Sequence, residues 1–146
     1  MLIGQYTSKV SRKRRVAVPS KFRKELGETF ILIRWYENCL ALVSKKQWKE
    51  LFDRLIGEAK GITQAVRDTD RFLLGQAYEL VPDEQGRVII PEALAVFAEL
   101  EEEAVFIGLV DRVELWNKTK WEEREKYVEA NAGELIDKLT GRDEKE

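Results

Sequence analysis

A chain of 146 residues that is 44% hydrophobic can bury a core, but it contains no histidine, which removes the usual general base, the commonest metal ligand and the standard serine or cysteine triads. The formal charge is −2, from 27 acidic and 25 basic residues, and no apolar run approaches the ~18 residues of a membrane span. Catalysis by carboxylates or lysine survives on composition alone, but no spacing singles out a pair.

The opening Met1-Leu2-Ile3-Gly4-Gln5-Tyr6 lacks the basic-then-apolar layout of a signal peptide, and the single Cys39 has neither a thiol partner nor a metal-ligand set. Both features predict a cytoplasmic protein with Cys39 as core filler and no cofactor or metal. Lys9, Arg12, Lys13, Arg14, Arg15, Lys21, Arg23 and Lys24 follow, with no acid among residues 9–24. That segment carries +8 and leaves −10 for the rest, so one face is expected to be basic, the electrostatic footprint of a phosphate-binding protein. A solvated charged surface is the other reading of the same residues.

The chain then repeats itself. The run from Tyr6 to Pro19 aligns without gaps on the run from Tyr78 to Pro91, at an offset of 72, with Tyr, Arg, Val and Pro in register. After one inserted residue, Leu40, Leu42, Ser44 and Trp48 fall on Val113, Leu115, Asn117 and Trp121. Each copy reads as strand, turn, strand ending at proline, helical turn, two strands and a helix. Pro19 and Pro91 are placed at the first helical position of turns over residues 20–26 and 92–99, where proline loses no needed hydrogen bond. Strands are expected at 30–35 and 40–43, and again at 104–108 and 113–116, joined by turns at Glu37-Asn38 and Asp111-Arg112.

Ser44 and Asn117 are predicted N-caps, each four residues before a tryptophan. Trp48, Leu51, Phe52, Leu55 and Ile56 form the i, i+3, i+4 stripe of a buried helical face, which makes Trp48 core and not a stacking platform. A second linking helix spans about 63–75 and carries Val66, Phe72 and Leu73. The C-terminal helix from about Lys118 has the stripe Trp121, Val128, Leu135, Ile136 and Leu139, interrupted by Gly133, before a charged tail at 141–146. Four-strand units this small bury little surface alone, so the copies are expected to pack on each other as an internal pseudo-dimer. The divisions are residues 5–47 and 77–120 for the units, 48–76 for a helical linker and 121–146 for the terminal helix and tail.

Taken in order, Gly4-Gln5-Tyr6, the duplicated strand-turn-Arg-strand-Pro unit, Pro19-Ser20-Lys21-Phe22-Arg23, Glu37-Asn38-Cys39-Leu40, Asp83-Glu84-Gln85-Gly86-Arg87-Val88-Ile89-Ile90-Pro91 and Leu115-Trp116-Asn117 resemble the MraZ family over nearly the whole chain. The resemblance implies an α+β fold of two tandem AbrB-like units with swapped β-hairpins. It also implies ring-shaped homo-oligomers associated with the nucleoid, and transcription factors, usually repressors, of the division and cell-wall gene cluster. Their partner would be double-stranded DNA carrying G-rich direct repeats, bound through the basic face of the ring.

The family's Asp-x-x-x-Arg motif is intact as Asp83 and Arg87, but in the first copy Ser11 replaces the aspartate and Arg14 the turn glycine or asparagine, while Arg15 is retained. Serine should hold its arginine less firmly than aspartate, and Arg14 should force a different or strained turn. Arg15 is the first candidate for reading guanine, followed by Lys13, Arg12 and Arg14, with Lys9, Lys21, Arg23 and Lys24 on phosphates. A salt bridge within the hairpins is the structural alternative for Arg15, and the favoured role for Arg87 among Glu79, Asp83, Glu84 and Glu92. Two further classes stay open: an antitoxin-like module that grips a protein, against which the short tail argues, and a carboxylate enzyme.

Overall fold

The computed structural model describes residues 1–57 and 63–141, with the backbone only at Ile56. The predicted place of Ile56 on a buried face and all but the first residue of the predicted tail lie outside the described residues. The elements in chain order are β1 (Ile3–Lys9), β2 (Arg15–Ala17), α1 (Ser20–Leu26), β3 (Phe30–Arg34), β4 (Leu40–Ser44), α2 (Lys45–Ile56), α3 (Gln64–Leu74), β5 (Tyr78–Leu80), β6 (Arg87–Ile89), α4 (Glu92–Phe97), β7 (Glu103–Leu109), β8 (Val113–Asn117) and α5 (Lys118–Leu139). A 3-10 turn at Tyr36–Asn38 joins β3 to β4.

The strands form an antiparallel six-stranded sheet in the order β1-β7-β8-β4-β3-β5 and a two-stranded ribbon of β2 and β6. Exchanging the repeats turns the sheet order into its own reverse, so the topology has an approximate twofold axis. The register obeys it: Val16 pairs with Val88, Leu40 with Leu115 and Leu42 with Val113, around a central pair of Ala41 and Glu114. The first strand of each repeat pairs with the third strand of the other, β1 with β7 and β5 with β3. Neither repeat therefore completes a sheet alone.

One sheet face packs Phe30, Leu32, Leu40, Leu42, Phe106 and Leu115 against Val16 and Val88 of the ribbon, Phe22 and Leu26 of α1 and Leu94 of α4. The other packs Ile33, Val43, Val105 and Trp116 against Trp48 and Leu51 of α2, Leu73 of α3 and Trp121 of α5. Burial on both faces is why β3, β4, β7 and β8 read as continuous apolar runs and not as alternating ones. Cys39 is buried in the second cluster, and Trp48 is half-buried with its ring packed against that cluster, on the face its spacing predicts.

Ser44 and Asn117 cap α2 and α5, their side chains accepting from the amides of Gln47 at 3.0 Å and Lys120 at 3.1 Å. Three local expectations need correction. Pro19 and Pro91 occupy the N-cap, one residue earlier than predicted, and their carbonyls accept the first helical bonds. The second helical turn stops at Phe97 instead of residue 99. The stripe on α5 is not a buried face along its length: the helix runs 22 residues, which at 1.5 Å per residue outruns the sheet, so Trp121 packs while Val128, Ile136 and Leu139 stay exposed.

Candidate nucleic-acid interface

The two hairpin turns bring most of the candidate residues to the ribbon. In the second repeat the Asp83 carbonyl accepts from the Gly86 amide at 2.9 Å, and the Asp83 amide donates to the Arg87 carbonyl at 2.9 Å. One carboxylate oxygen of Asp83 accepts from the amides of Gln85 at 2.9 Å and Arg87 at 3.0 Å, and the other accepts from Arg87 Nε at 3.0 Å. The Arg87 amide, helped by the Gln85 amide and the guanidinium, holds the Asp83 carboxyl below the usual aspartate range.

The first repeat builds the same turn from different residues. Ser11 donates its amide to the Arg15 carbonyl and accepts from the Arg14 amide, both at 2.9 Å, while Ser11 Oγ accepts from the Arg15 amide at 3.1 Å. The expectation of a different turn is therefore corrected: the hydrogen-bond frame is kept, and Arg14 takes φ 61° where Gly86 takes 77°. A left-handed non-glycine residue costs about 1–2 kcal/mol, and the bond from Arg14 Nε to the Ile90 carbonyl at 2.9 Å works against that cost.

The ribbon turns Val16 and Val88 inward and leaves Arg15, Ala17, Arg87 and Ile89 on its outer side, Ile89 being 48% exposed. The two arginines differ in freedom. Arg87 is paired with Asp83, whereas the Arg15 guanidinium makes no hydrogen bond or ion pair among the described residues, because Ser11 reaches only its backbone. Ala17 and Ile89 were not singled out by sequence; a period-two reading of these three-residue strands would have placed them beside the arginines.

The remaining cations divide between the two ends of the ribbon. Arg12 and Lys13 sit exposed in the first turn, and Lys9 ends β1 opposite Glu103. Ile90, at this end, donates its amide to the Arg14 carbonyl at 2.8 Å. At the other end the Val18 amide donates to the Gly86 carbonyl at 2.9 Å, and the Arg23 side chain lies against Gly86. There Arg23 and Lys24 line a groove of about 610 Å³ with Val81, Pro82 and Asp83. Lys21, also on α1, reaches the Ile3 carbonyl at 3.4 Å. A run of cations that is continuous in sequence is thus dealt to both ends, because the helix of the first repeat packs beside the turn of the second. Among the described residues no helix is long and apolar enough to cross a membrane, and no group of acids and cysteine is placed to hold a metal ion.

The model of a family described as MraZ protein, antitoxin-like, matches residues 1–72 and again residues 73–143, dividing the chain where the internal duplication does. The chain is also similar to curated proteins named "Transcriptional regulator MraZ". The one from Caldanaerobacter subterraneus subsp. tengcongensis is 39% identical over 140 residues, covering 95% of this chain and 96% of the relative. That from Clostridium tetani is 39% identical over 131 residues, covering 90% and 89%. That from Caldicellulosiruptor saccharolyticus is 41% identical over 125 residues, covering 84% and 85%.

Proposed function

The chain belongs to the MraZ family, and from that premise we propose that it is a non-enzymatic, sequence-specific DNA-binding transcriptional regulator. The relatives named as transcriptional regulators support the regulatory role. The observation that carries the reading is the outer side of the β2–β6 ribbon, where the Arg15 guanidinium has no partner among the described residues and is flanked by the exposed Arg12 and Lys13. A two-stranded ribbon fits the ~12 Å major groove of B-DNA, and a free guanidinium can donate to guanine O6 and N7 at roughly 1–3 kcal/mol of discrimination. Arg15 reads the base, and Lys9, Lys21 and Lys24 contact phosphates.

The same proposal extends to the target and the assembly. The exchanged strands, β1 with β7 and β5 with β3, support a reading as two AbrB-like units with swapped hairpins, residues 5–47 and 77–120, with 48–76 and 121–146 as linker and terminal segment. Rings of copies on the nucleoid present repeated ribbons to G-rich direct repeats at the division and cell-wall gene cluster, which the protein represses. One ribbon covers few base pairs, so affinity comes from effective concentration across matched repeats. Fluorescence anisotropy with duplexes carrying several G-rich repeats, one repeat or a shuffled sequence, over a salt series, tests this. Tight, salt-sensitive binding that depends on repeat number is expected. Weak binding indifferent to sequence would overturn it in favour of a protein-gripping module.

A further inference from the structure

The repeat offset of 72 places Arg14 on Gly86 and Arg23 on Ala95, so the first repeat has arginine at both the turn and the helix position and the second has it at neither. Arg23 lies against Gly86, the turn of the other repeat, and the approximate twofold axis relates that pair of positions, 86 and 23, to 14 and 95. At the first pair, a Cβ on Gly86 would lie 2.4 Å from Nε and Cζ of Arg23, and Arg23 Nε donates to the Val18 carbonyl at 3.0 Å. At the second, Arg14 Nε donates to the carbonyl of Ile90, the counterpart of Val18, at 2.9 Å. The same donor atom thus meets the same pseudo-symmetric carbonyl at both ends of the ribbon, arriving once from the helix and once from the turn. One arginine per end fits, because a side chain at position 86 would occupy the space of Arg23.

We propose that Arg14 and Arg23 are a pseudo-symmetric pair of DNA-phosphate contacts, one at each end of the β2–β6 ribbon. The proposal deepens the DNA-binding reading and rests on it. Neither guanidinium has a carboxylate partner among the described residues, and each makes its one hydrogen bond there through Nε, which leaves the two Nη groups to serve as a fork for a phosphate. Residues 14 and 18 mark the two ends and are four strand steps apart, about 14 Å at 3.4 Å per residue. That matches the ~12 Å width of the major groove, so one arginine meets each phosphate wall while the ribbon's outer side faces the bases. The second turn, although it carries Asp83 and Glu84, therefore shares in DNA contact through a helix borrowed from the first repeat.

The test compares full-length Arg14→Gly, Arg23→Gln and the exchange variant Arg14→Gly/Ala95→Arg with the parent. Glycine accepts the φ of position 14 without strain, and glutamine keeps part of the Arg23 stem over Gly86, so thermal unfolding should show both single variants folded; Ala95 is buried, so the exchange variant is compared once its unfolding transition matches that of Arg14→Gly, and Arg23→Gln carries the test independently of it. On the multi-repeat duplex, each single variant should lower the slope of log K against log salt by about one per chain, weakening repeat and shuffled DNA alike. The exchange variant should restore the slope, because the guanidinium introduced on α4 would then reach the Ile90 carbonyl as Arg23 reaches that of Val18. Parental DNA that binds without salt or repeat dependence would refute the DNA reading itself. Parental binding as expected, with single variants at the parental slope or an exchange variant no better than Arg14→Gly, would overturn the arginine pair alone.

Discussion

The β1–β2 and β5–β6 turns share one backbone frame and differ in what they do with an arginine. In the second, Asp83 closes the turn and also clamps the Arg87 guanidinium; in the first, Ser11 Oγ closes the turn and leaves the Arg15 guanidinium alone. A turn needs only a side-chain oxygen that can accept the amide four residues on, which serine and aspartate both offer. Clamping the guanidinium needs a second oxygen and a charge, which only aspartate has. One substitution therefore separates the structural half of the motif from its electrostatic half.

The largest expected effect tests the free arginine. Arg15→Ala should weaken binding to the G-rich repeats by about 1–3 kcal/mol and flatten the preference over shuffled DNA in anisotropy titrations. Arg87→Ala should disturb sequence preference less, and equal losses would erase the contrast between the turns. Ser11→Asp sharpens it from the other side: by pairing Arg15 and adding a negative charge, it should reduce the salt slope by about one and weaken binding several-fold. Backbone cost is a third probe. Gly86→Ala should lower stability to urea by about 1 kcal/mol, since φ 77° disfavours a Cβ and Arg23 must shift, whereas Arg14→Ala should incur no new backbone cost because Arg14 is already left-handed.

The smallest effect is in pH. The Asp83 carboxyl is held below its unfolded range, chiefly by the Arg87 amide, so its stabilisation is present above the unfolded value and is lost as pH falls through the folded one. Acid unfolding below about pH 4 should therefore be gentler in Asp83→Asn than in the parent, while a Ser11→Ala change should leave the acid limb unaltered. An identical acid limb in parent and Asp83→Asn would remove this difference between the turns.

Much of this was legible in the residues. The duplication, the strand and helix segments, the caps at Ser44 and Asn117 and the packing of Trp48 against the sheet all follow from local spacing. Arg14 was legible as a departure that makes the turn either different or strained; the structure keeps the turn and has Arg14 left-handed, and the bond to the Ile90 carbonyl that accompanies this comes from 76 residues away. The stripe on α5 misled: spacing marks a face that could be buried, but burial needs a partner surface, and the sheet ends before the helix does.

The sequence by itself determined that there are two copies of one unit, where their elements begin, and that the first copy carries the cations, since turns, caps and periodicity depend on neighbours a few residues apart. Only the tertiary structure decided that β1 joins β7, that β5 joins β3, and that Arg23 lies against the turn of the other repeat. Pairing between strands is made through backbone groups that every residue carries, so the choice of partner rests on which apolar faces close a common core, and that is a property of both repeats together.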